Sequence, residues 1–311
     1  MIYDLAIIGG GPAGVAAGVY AARKKLKTIF LTMDFGGQSV VSPDIQNWIG
    51  TISISGEGLA KNLKNHLLAY GKEVVAVKEG LRVKNVEKTE DGFEIALDDG
   101  ESYHAKIVLI TTGSSRRKLS VPGAKEFENK GITYCATCDG PLFAGQDVAV
   151  IGGGNAAFET AAQLSAYCKS VTLLQRSGGF RADPVTAERV LAKPNVKGIT
   201  GTEILEIKGG KFVSSLLFKK TAAGEITDLP VTGIFVEIGL VPATGFVKNL
   251  LKLDPWGHII VDPKTQRTSC PGVWAAGDST DGLYHQNNIA AGDAIKALED
   301  IYMFLHAGKT K

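Results

Sequence analysis

The chain has 311 residues, a net charge of +2 and 21% charged residues, which excludes a generally disordered chain and gives no basic excess for nucleic acid or a membrane surface. Its four cysteines exclude a disulfide-rich secreted scaffold, and its length predicts two domains.

The first apolar run, residues 5–22, has the length of a signal peptide. However, Asp4 stands where a signal peptide carries basic residues, and Gly9, Gly11 and Pro12 would interrupt an apolar helix. We therefore interpret the run as a strand, a glycine turn and a helix. No other segment reaches the roughly 20 apolar residues that span a bilayer, so we expect a cytoplasmic protein with no membrane partner.

A pattern of strand, glycine turn, helix and second strand occurs twice. Residues 3–22 read YDLAIIGGGPAGVAAGVYAA, and residues 147–166 read DVAVIGGGNAAFETAAQLSA. Each copy is a βαβ unit, which predicts a largely parallel sheet with helices on its faces. Strand-like alternations follow each copy and predict small antiparallel sheets. The expected fold is α/β, with two Rossmann-like three-layer ββα nucleotide-binding domains.

The first glycine motif is Gly9-x-Gly11-x-x-Gly14. Its glycines allow a tight turn, a close approach to pyrophosphate and close packing of the helix, whose N-terminus offers N–H groups to phosphates. The pattern therefore predicts a nucleotide site. The acidic ribose ligand expected about 20 residues later is missing, because Thr32 stands near that place.

The second motif is Gly152-x-Gly154-x-x-Ala157. At the end of its second strand, where an acidic residue favours NADH and arginine favours NADPH, the chain has Gln175 and Arg176, with Arg181 further on. The two arginines could pair with a 2′-phosphate; alternatively, they are solvated loop charges.

A cysteine pair, Cys135-Ala136-Thr137-Cys138-Asp139, stands just before the second motif. We predict no metal site, because there is no second pair at a suitable spacing, and no haem attachment, because Asp139 replaces the required histidine. The pair is interpreted as a redox dithiol; the alternative is two buried free thiols. Cys168 and Cys270 are isolated and are interpreted as packing residues.

With these motifs, the chain resembles the low-molecular-weight thioredoxin reductases nearly end to end. The similarity rests on residues 3–50, TTG at 111–113, VPG at 121–123, CATCDG at 135–140, GVWAAGD at 272–278 and YHQ at 284–286. It implies a discontinuous FAD domain, residues 1–113 and 243–311, and an NAD(P) domain, residues 114–242, that carries the dithiol. It also implies a thioredoxin-like partner and a homodimer.

The resemblance also implies the site residues. FAD would contact Gly9, Gly11, Pro12, Ala13, Gly14, Thr32, Gly37, Gln38, Asn47, Val83, Thr112, Gly113, Gly277, Asp278, His285 and Gln286. The nicotinamide dinucleotide, NADPH or NADH, would contact Gly152, Gly154, Asn155, Ala156, Gln175, Arg176 and Arg181. Cys138 would face the flavin, Cys135 would attack the partner disulfide, and Asp139 would transfer protons.

Some residues depart from the family pattern. The usual His-Arg-Arg is Gln175-Arg176-Ser177, and the usual Tyr-Arg-Gln is Tyr284-His285-Gln286. The run IFVEIGLVPATGF also resembles the reductase component of alkyl hydroperoxide reductases, a family with an extra N-terminal redox domain that we do not expect here, because the glycine motif begins at residue 9. The expected function is a thioredoxin-disulfide reductase using NAD(P)H. The alternatives are a reductase of the same fold with NADH or another donor, and a non-catalytic flavoprotein redox sensor.

Overall fold

The computed structural model describes residues 2–42, 45, 47–134 and 136–306, without the side chains of residues 41, 137 and 138. The chain divides into two compact units. The first unit comprises Met1–Ser115 and Val241–Lys311, and the second comprises Arg116–Leu240. The domain boundaries expected from the sequence follow residues 113 and 242.

The elements alternate as each glycine motif predicts. Up to the first crossing they are β1 (Ile2–Ile8), α1 (Pro12–Arg23), β2 (Thr28–Thr32), α2 (Gly56–Gly71), β3 (Val75–Glu79), β4 (Val83–Thr89), β5 (Gly92–Leu97), β6 (Ser102–Ile110) and β7 (Ser114–Arg116). Next come β8 (Ile132–Thr133), α3 (Ala136–Asp139), β9 (Asp147–Ile151), α4 (Asn155–Leu164), β10 (Ser170–Gln175), α5 (Pro184–Leu191), β11 (Val196–Thr200), β12 (Thr202–Gly209), β13 (Val213–Lys220), β14 (Ile226–Pro230), β15 (Gly233–Val236) and β16 (Leu240–Pro242). The last two are β17 (Val273–Ala275) and α6 (Asn287–His306). Short 3-10 turns lie at Gly37–Val41, Gly140–Phe143 and Gly245–Val247.

The first unit is built on one seven-stranded sheet. Strands β3, β2, β1 and β6 lie side by side in parallel, and β17 joins β6 in parallel. The antiparallel strands β5 and β4 continue the same sheet, because β6 is long enough to pair with β5 at residues 102–105 and with β17 at residues 108–110. Alternate residues of β1 face opposite sides: Leu5 and Ile7 join the core under α1, α2 and α6, whereas Ala6 and Ile8 join the core on the other side.

The second unit has three layers. Its central sheet is parallel, with the order β11-β10-β9-β15-β8, and a separate antiparallel sheet has the order β12-β13-β14. Val148 and Val150 of β9 pack in the core with α4, whereas Ala149 and Ile151 pack in the core with the antiparallel sheet. Strands buried on both faces explain the continuous apolar runs of the sequence.

The carboxyl ends of β1 and β9 lead into the two glycine turns, which is where open α/β sheets bind ligands. Among the described residues, no helix has both the length and the apolar character needed to cross a membrane.

Candidate cofactor and redox sites

The first glycine turn has an open helix N-terminus. Gly9 has a φ of +119°, and a Cβ there would collide with the carbonyl of Thr111, so the turn requires glycine. Gly11 is the N-cap of α1 without a side-chain cap, and nothing lies within 4 Å of the place of its Cβ. The first N–H groups of α1 are therefore available to a phosphate group, as the motif predicts.

Three other segments of the first unit meet this turn. The N–H of Gly36 donates to Gly10 O at 3.0 Å, and a Cβ on Gly277 would lie 3.4 Å from the Cβ of Ala13. Thr111 Oγ1 donates to Ile8 O at 2.9 Å. The predicted residues around Gly37, Thr112 and Gly277 thus lie next to the first turn of α1, which contains Pro12 and Ala13.

Two of the residues predicted to contact FAD have side chains that are buried in this unit. The Thr32 side chain is buried, and its hydroxyl donates to the carbonyl of Asp34. Val83 starts β4 opposite Leu97 and is buried in the core on the β4–β5 side. Both side chains are therefore packed within the first unit.

Three of the polar residues predicted to contact FAD take part in two hydrogen bonds between side chains. Gln38 Nε2 donates to Ser114 Oγ at 2.9 Å, close to the crossing residue Gly113. Asn47 Nδ2 donates to Gln286 Oε1 at 3.1 Å, which joins the loop after the 3-10 turn to the start of α6. The N-terminus of α6 is therefore surrounded by amide side chains that can bind a polar ring edge.

Asp278 and His285 are two titratable side chains of this site. Burial raises the pKa of Asp278, and the neighbouring His285 partly offsets the effect. Nε2 of His285 is buried and has no hydrogen-bond partner among the described residues. A buried polar atom without a partner is costly, so a ligand that bonds to it would be stabilised here.

The second glycine turn repeats the geometry of the first. Gly152 has a φ of +143°, and a Cβ there would collide with the carbonyl of Glu237. Gly154 is the uncapped N-cap of α4, with nothing within 4 Å of the place of its Cβ. Asn155 and Ala156 follow at the exposed start of α4, where Asn155 Oδ1 accepts the N–H of Asp183 at 2.8 Å.

The loop after β10 carries the residues predicted to contact the nicotinamide dinucleotide, and it is hydrogen-bonded to this turn. The N–H of Arg181 donates to Gly153 O at 2.7 Å. Gln175 is buried against Gly153; its Nε2 donates to Ser177 Oγ at 2.7 Å, and its Oε1 accepts the N–H of Arg176 at 3.1 Å. The Gln175 amide is therefore used within the loop. Arg176 and Arg181 are exposed, and no ion pair occupies either guanidinium within the described part of the chain.

An ion pair between a partly exposed arginine and a largely buried glutamate lies next to the second turn and was not predicted from the sequence. Glu237 follows β15, and its carboxylate accepts hydrogen bonds from Arg116 and from Thr160 of α4. Burial raises the pKa of Glu237, although Arg116 and Thr160 oppose the effect. A carboxylate directly after the apolar run IFV was the one signal for this residue.

The dithiol segment lies only partly within the described residues. Cys135 is outside them, and so is the side chain of Cys138. Ala136 of α3 is buried in the core of the second unit with α4, so this segment belongs to the second unit. Thr133 donates a hydrogen bond to the carboxylate of Asp139, which fixes the predicted proton-transfer residue to β8.

The other two cysteines are buried core residues. Cys168 belongs to the core beside α4, and burial raises its pKa to about 11. Burial also raises the pKa of Cys270. Neither thiol is a ready nucleophile.

Comparisons with known proteins cover nearly the whole chain. The model of the family described as pyridine nucleotide-disulphide oxidoreductase matches residues 3–294. A thioredoxin reductase structure from Lactococcus lactis matches with a TM-score of 0.86 and 35% identity over 98% of this chain and 99% of that one. The T. acidophilum thioredoxin reductase gives a TM-score of 0.83 and 38% identity over the same shares.

The chain is also similar to curated proteins that are longer. It is 39% identical over 303 residues to a Bacillus subtilis protein named NADH dehydrogenase, covering 97% of this chain and 58% of that protein. It is 39% identical over 296 residues to a component of the alkyl hydroperoxide reductase of Pseudomonas aeruginosa, covering 95% of this chain and 57% of that protein. The chain thus spans less than two thirds of these relatives.

Proposed function

The chain belongs to the pyridine nucleotide-disulphide oxidoreductase family, and we propose that within it the protein is a disulfide reductase of the thioredoxin reductase type. The family is FAD-dependent and uses a nicotinamide dinucleotide. The predicted fold, with two Rossmann-like nucleotide-binding domains, is confirmed. The observation that carries the proposal is the combination of two open glycine turns with CATCDG on the second unit.

The residues of the first unit suit FAD. The open N-terminus of α1 can bind its pyrophosphate, and the buried Asp278 can accept a hydroxyl of its ribityl chain. The unpartnered Nε2 of His285 and the amides around Gln286 can bond to the polar ring edge. When bound, FAD would accept two electrons from the nicotinamide dinucleotide and pass them to the Cys135–Cys138 disulfide.

The two thiols then carry out disulfide exchange. The Cys135 thiolate attacks a sulfur of the partner disulfide, which forms a mixed disulfide and releases one partner thiolate. Cys138 attacks the Cys135 sulfur, restores the Cys135–Cys138 disulfide and releases the second partner thiolate. Asp139, held by Thr133, exchanges protons with these sulfurs. A thioredoxin-like protein is the proposed partner.

The proposed coenzyme is NADPH. The Gln175 amide is bonded within its loop, and Gln175 stands at the end of β10, where an acidic residue would accept both ribose hydroxyls of NADH. The exposed Arg176 and Arg181 supply positive charge for a 2′-phosphate.

The test begins with an anaerobic titration of the FAD-loaded protein with NADPH and, separately, with NADH. The absorbance of the flavin reports its reduction. Cys135→Ser and Cys138→Ser should each abolish thioredoxin reduction and leave flavin reduction by NADPH intact, because hydride transfer does not involve the thiols. Cys270→Ala is the matched control and should keep both activities. A Cys135→Ser protein that still turns over thioredoxin would contradict the proposed path.

A second candidate is a reductase that uses NADH and serves a peroxidase. It is favoured by the relatives whose names refer to alkyl hydroperoxide reductase and to NADH dehydrogenase. Flavin reduction by NADH with reduction of a peroxidase disulfide, but not of thioredoxin, would support it. Failure of steady turnover with either coenzyme and either disulfide would favour the non-catalytic redox sensor.

A further inference from the structure

Two histidines lie together beside Asp278. The rings of His258 and His285 have centroids 6.0 Å apart. The chain after His258 is fixed to the chain after Asp278, because the N–H of Ile259 donates to Ser279 O at 2.9 Å. The tertiary fold therefore adds His258 to the cluster formed by His285 and Asp278.

Asp254 holds His258 in place. One oxygen of Asp254 accepts the N–H groups of Trp256 and His258, both at 2.8 Å, and the other lies 2.8 Å from His258 Nδ1. The side chains of Asp254 and His258 are 15% and 22% exposed. Although burial opposes it, these hydrogen bonds hold the pKa of Asp254 below its ordinary value. The two backbone contacts fix Asp254 in the turn, and the third orients the His258 ring with Nδ1 toward this carboxylate.

Within the part of the chain that the structure describes, titratable groups from two segments face His285. Asp278 interacts with it from the segment after β17, and His258 packs against it from the turn that contains Asp254. On the other side, Gln286 is bonded to Asn47. Nε2 of His285 has no partner among the described residues, so it is left for a bound ligand.

We propose that His285 takes up a proton when the bound flavin is reduced, and that His258, held by Asp254, positions the His285 ring for this role. The inference rests on the proposed binding of FAD but needs neither a particular coenzyme nor thioredoxin. The imidazole of His285 would take a second proton from solvent, and this proton would balance the one negative charge that a bound flavin would gain with two electrons and one proton. The resembled family usually has an arginine at this position. Arginine carries a fixed charge and takes up no proton, whereas histidine as a residue type titrates near neutral pH.

The test is a redox titration of the FAD-loaded full chain with dithionite and mediator dyes between about pH 6 and pH 9. In the wild type, reduction should take up two protons per two electrons over part of this pH range and one proton per two electrons over the rest. The slope of the potential against pH should therefore change twofold within the range, and this change of slope is the bend that the variants test. His285→Arg should take up one proton throughout. A bend in the slope that persists in His285→Arg overturns the proposal.

A variant of His258 tests the positioning role. His258→Ala removes the ring that Asp254 holds against His285 and should shift the bend by about one pH unit or remove it. An unchanged bend in His258→Ala would overturn the positioning role. His66→Gln, at an exposed histidine of α2, is the matched control and should behave as wild type.

Two measurements keep the outcome decisive. Proton uptake on reduction, followed with an indicator dye in weak buffer, should give up to two protons per flavin in the wild type and one in His285→Arg. If His285→Arg does not hold FAD, His285→Gln replaces it with the same expectation. A protein that shows the bend but does not reduce thioredoxin fails only the proposed function, and one that reduces thioredoxin without the bend fails only this inference.

Discussion

Replacing Arg116 with leucine should destabilise the second unit by removing the cation from a buried carboxylate. Arg116 Nη1 lies 3.2 and 3.0 Å from the two Glu237 oxygens, and Thr160 Oγ1 donates to one of them at 3.0 Å. Glu237 is 10% exposed, whereas Arg116 is 38% exposed. In Arg116→Leu, Thr160 would be the only remaining partner among these groups.

The magnitude follows from the geometry. Two unit charges with centres about 4 Å apart attract by about 4 kcal/mol at an effective dielectric constant of about 20. The partly exposed guanidinium keeps some hydration, so the loss should fall between the 0–1 kcal/mol typical of surface pairs and the about 3–5 kcal/mol of fully buried ones. We expect a loss of about 2 kcal/mol at pH 7.5.

The loss should depend on pH. Burial raises the pKa of Glu237 above the ordinary value of 4.5, and Arg116 opposes this, so its removal raises the pKa further. The folded state then binds a proton more tightly than the unfolded state, and stability falls as pH rises from about 4.5 through the folded pKa. The deficit of Arg116→Leu should therefore be larger at pH 7.5 than at pH 5.

The assay must report on the second unit. All three tryptophans, Trp48, Trp256 and Trp274, lie in the first unit, so their fluorescence does not report directly on the second. Amide hydrogen exchange of peptides from β9, β10 and β15, with β1 and β2 as an internal reference, measures the local free energy of opening. The double variant Arg116→Leu with Glu237→Gln should recover most of the loss at pH 7.5, because no buried charge remains. An equal deficit at both pH values, or no recovery in the double variant, would refute the role given to the charge.

Three further predictions concern the sites. Gly11→Leu should fold normally, because the φ of −74° at this position suits any residue. When the apoprotein is titrated with FAD, this variant should bind FAD at least about 100-fold more weakly, a loss of about 2.7 kcal/mol. Gly154→Leu is its counterpart and should weaken only the binding of the nicotinamide dinucleotide. Arg176→Ala should raise the KM for NADPH about 10-fold, worth about 1.4 kcal/mol, with less effect on NADH, and equal effects on both in steady-state kinetics would exclude contact with the 2′-phosphate. Cys168, with a pKa of about 11, should resist iodoacetamide at pH 8 in the folded protein, where about one thiol in a thousand is ionised, and fast alkylation located by mass spectrometry would show that the thiol is not buried.

Local sequence patterns predicted much of the two candidate nucleotide sites. The glycine turns, the helices that follow them and the open N–H groups at Gly11 and Gly154 depend on residues within one βαβ unit, so spacing and residue type were enough to predict them. The same holds for β17 and the Gly277–Asp278 turn after it, which are formed by neighbours along the chain.

By itself, the sequence thus determined the two nucleotide-binding folds and the residues that form their turns, because each depends on neighbours along the chain. The tertiary structure decided which distant side chains meet. It paired Glu237 with Arg116, placed His258 against His285, and buried Gln175 under the second turn. These contacts join residues from separate segments, and no periodicity or spacing encodes them. Charge and proton binding depend on such contacts, because burial and nearby partners set the energy of an ionised group.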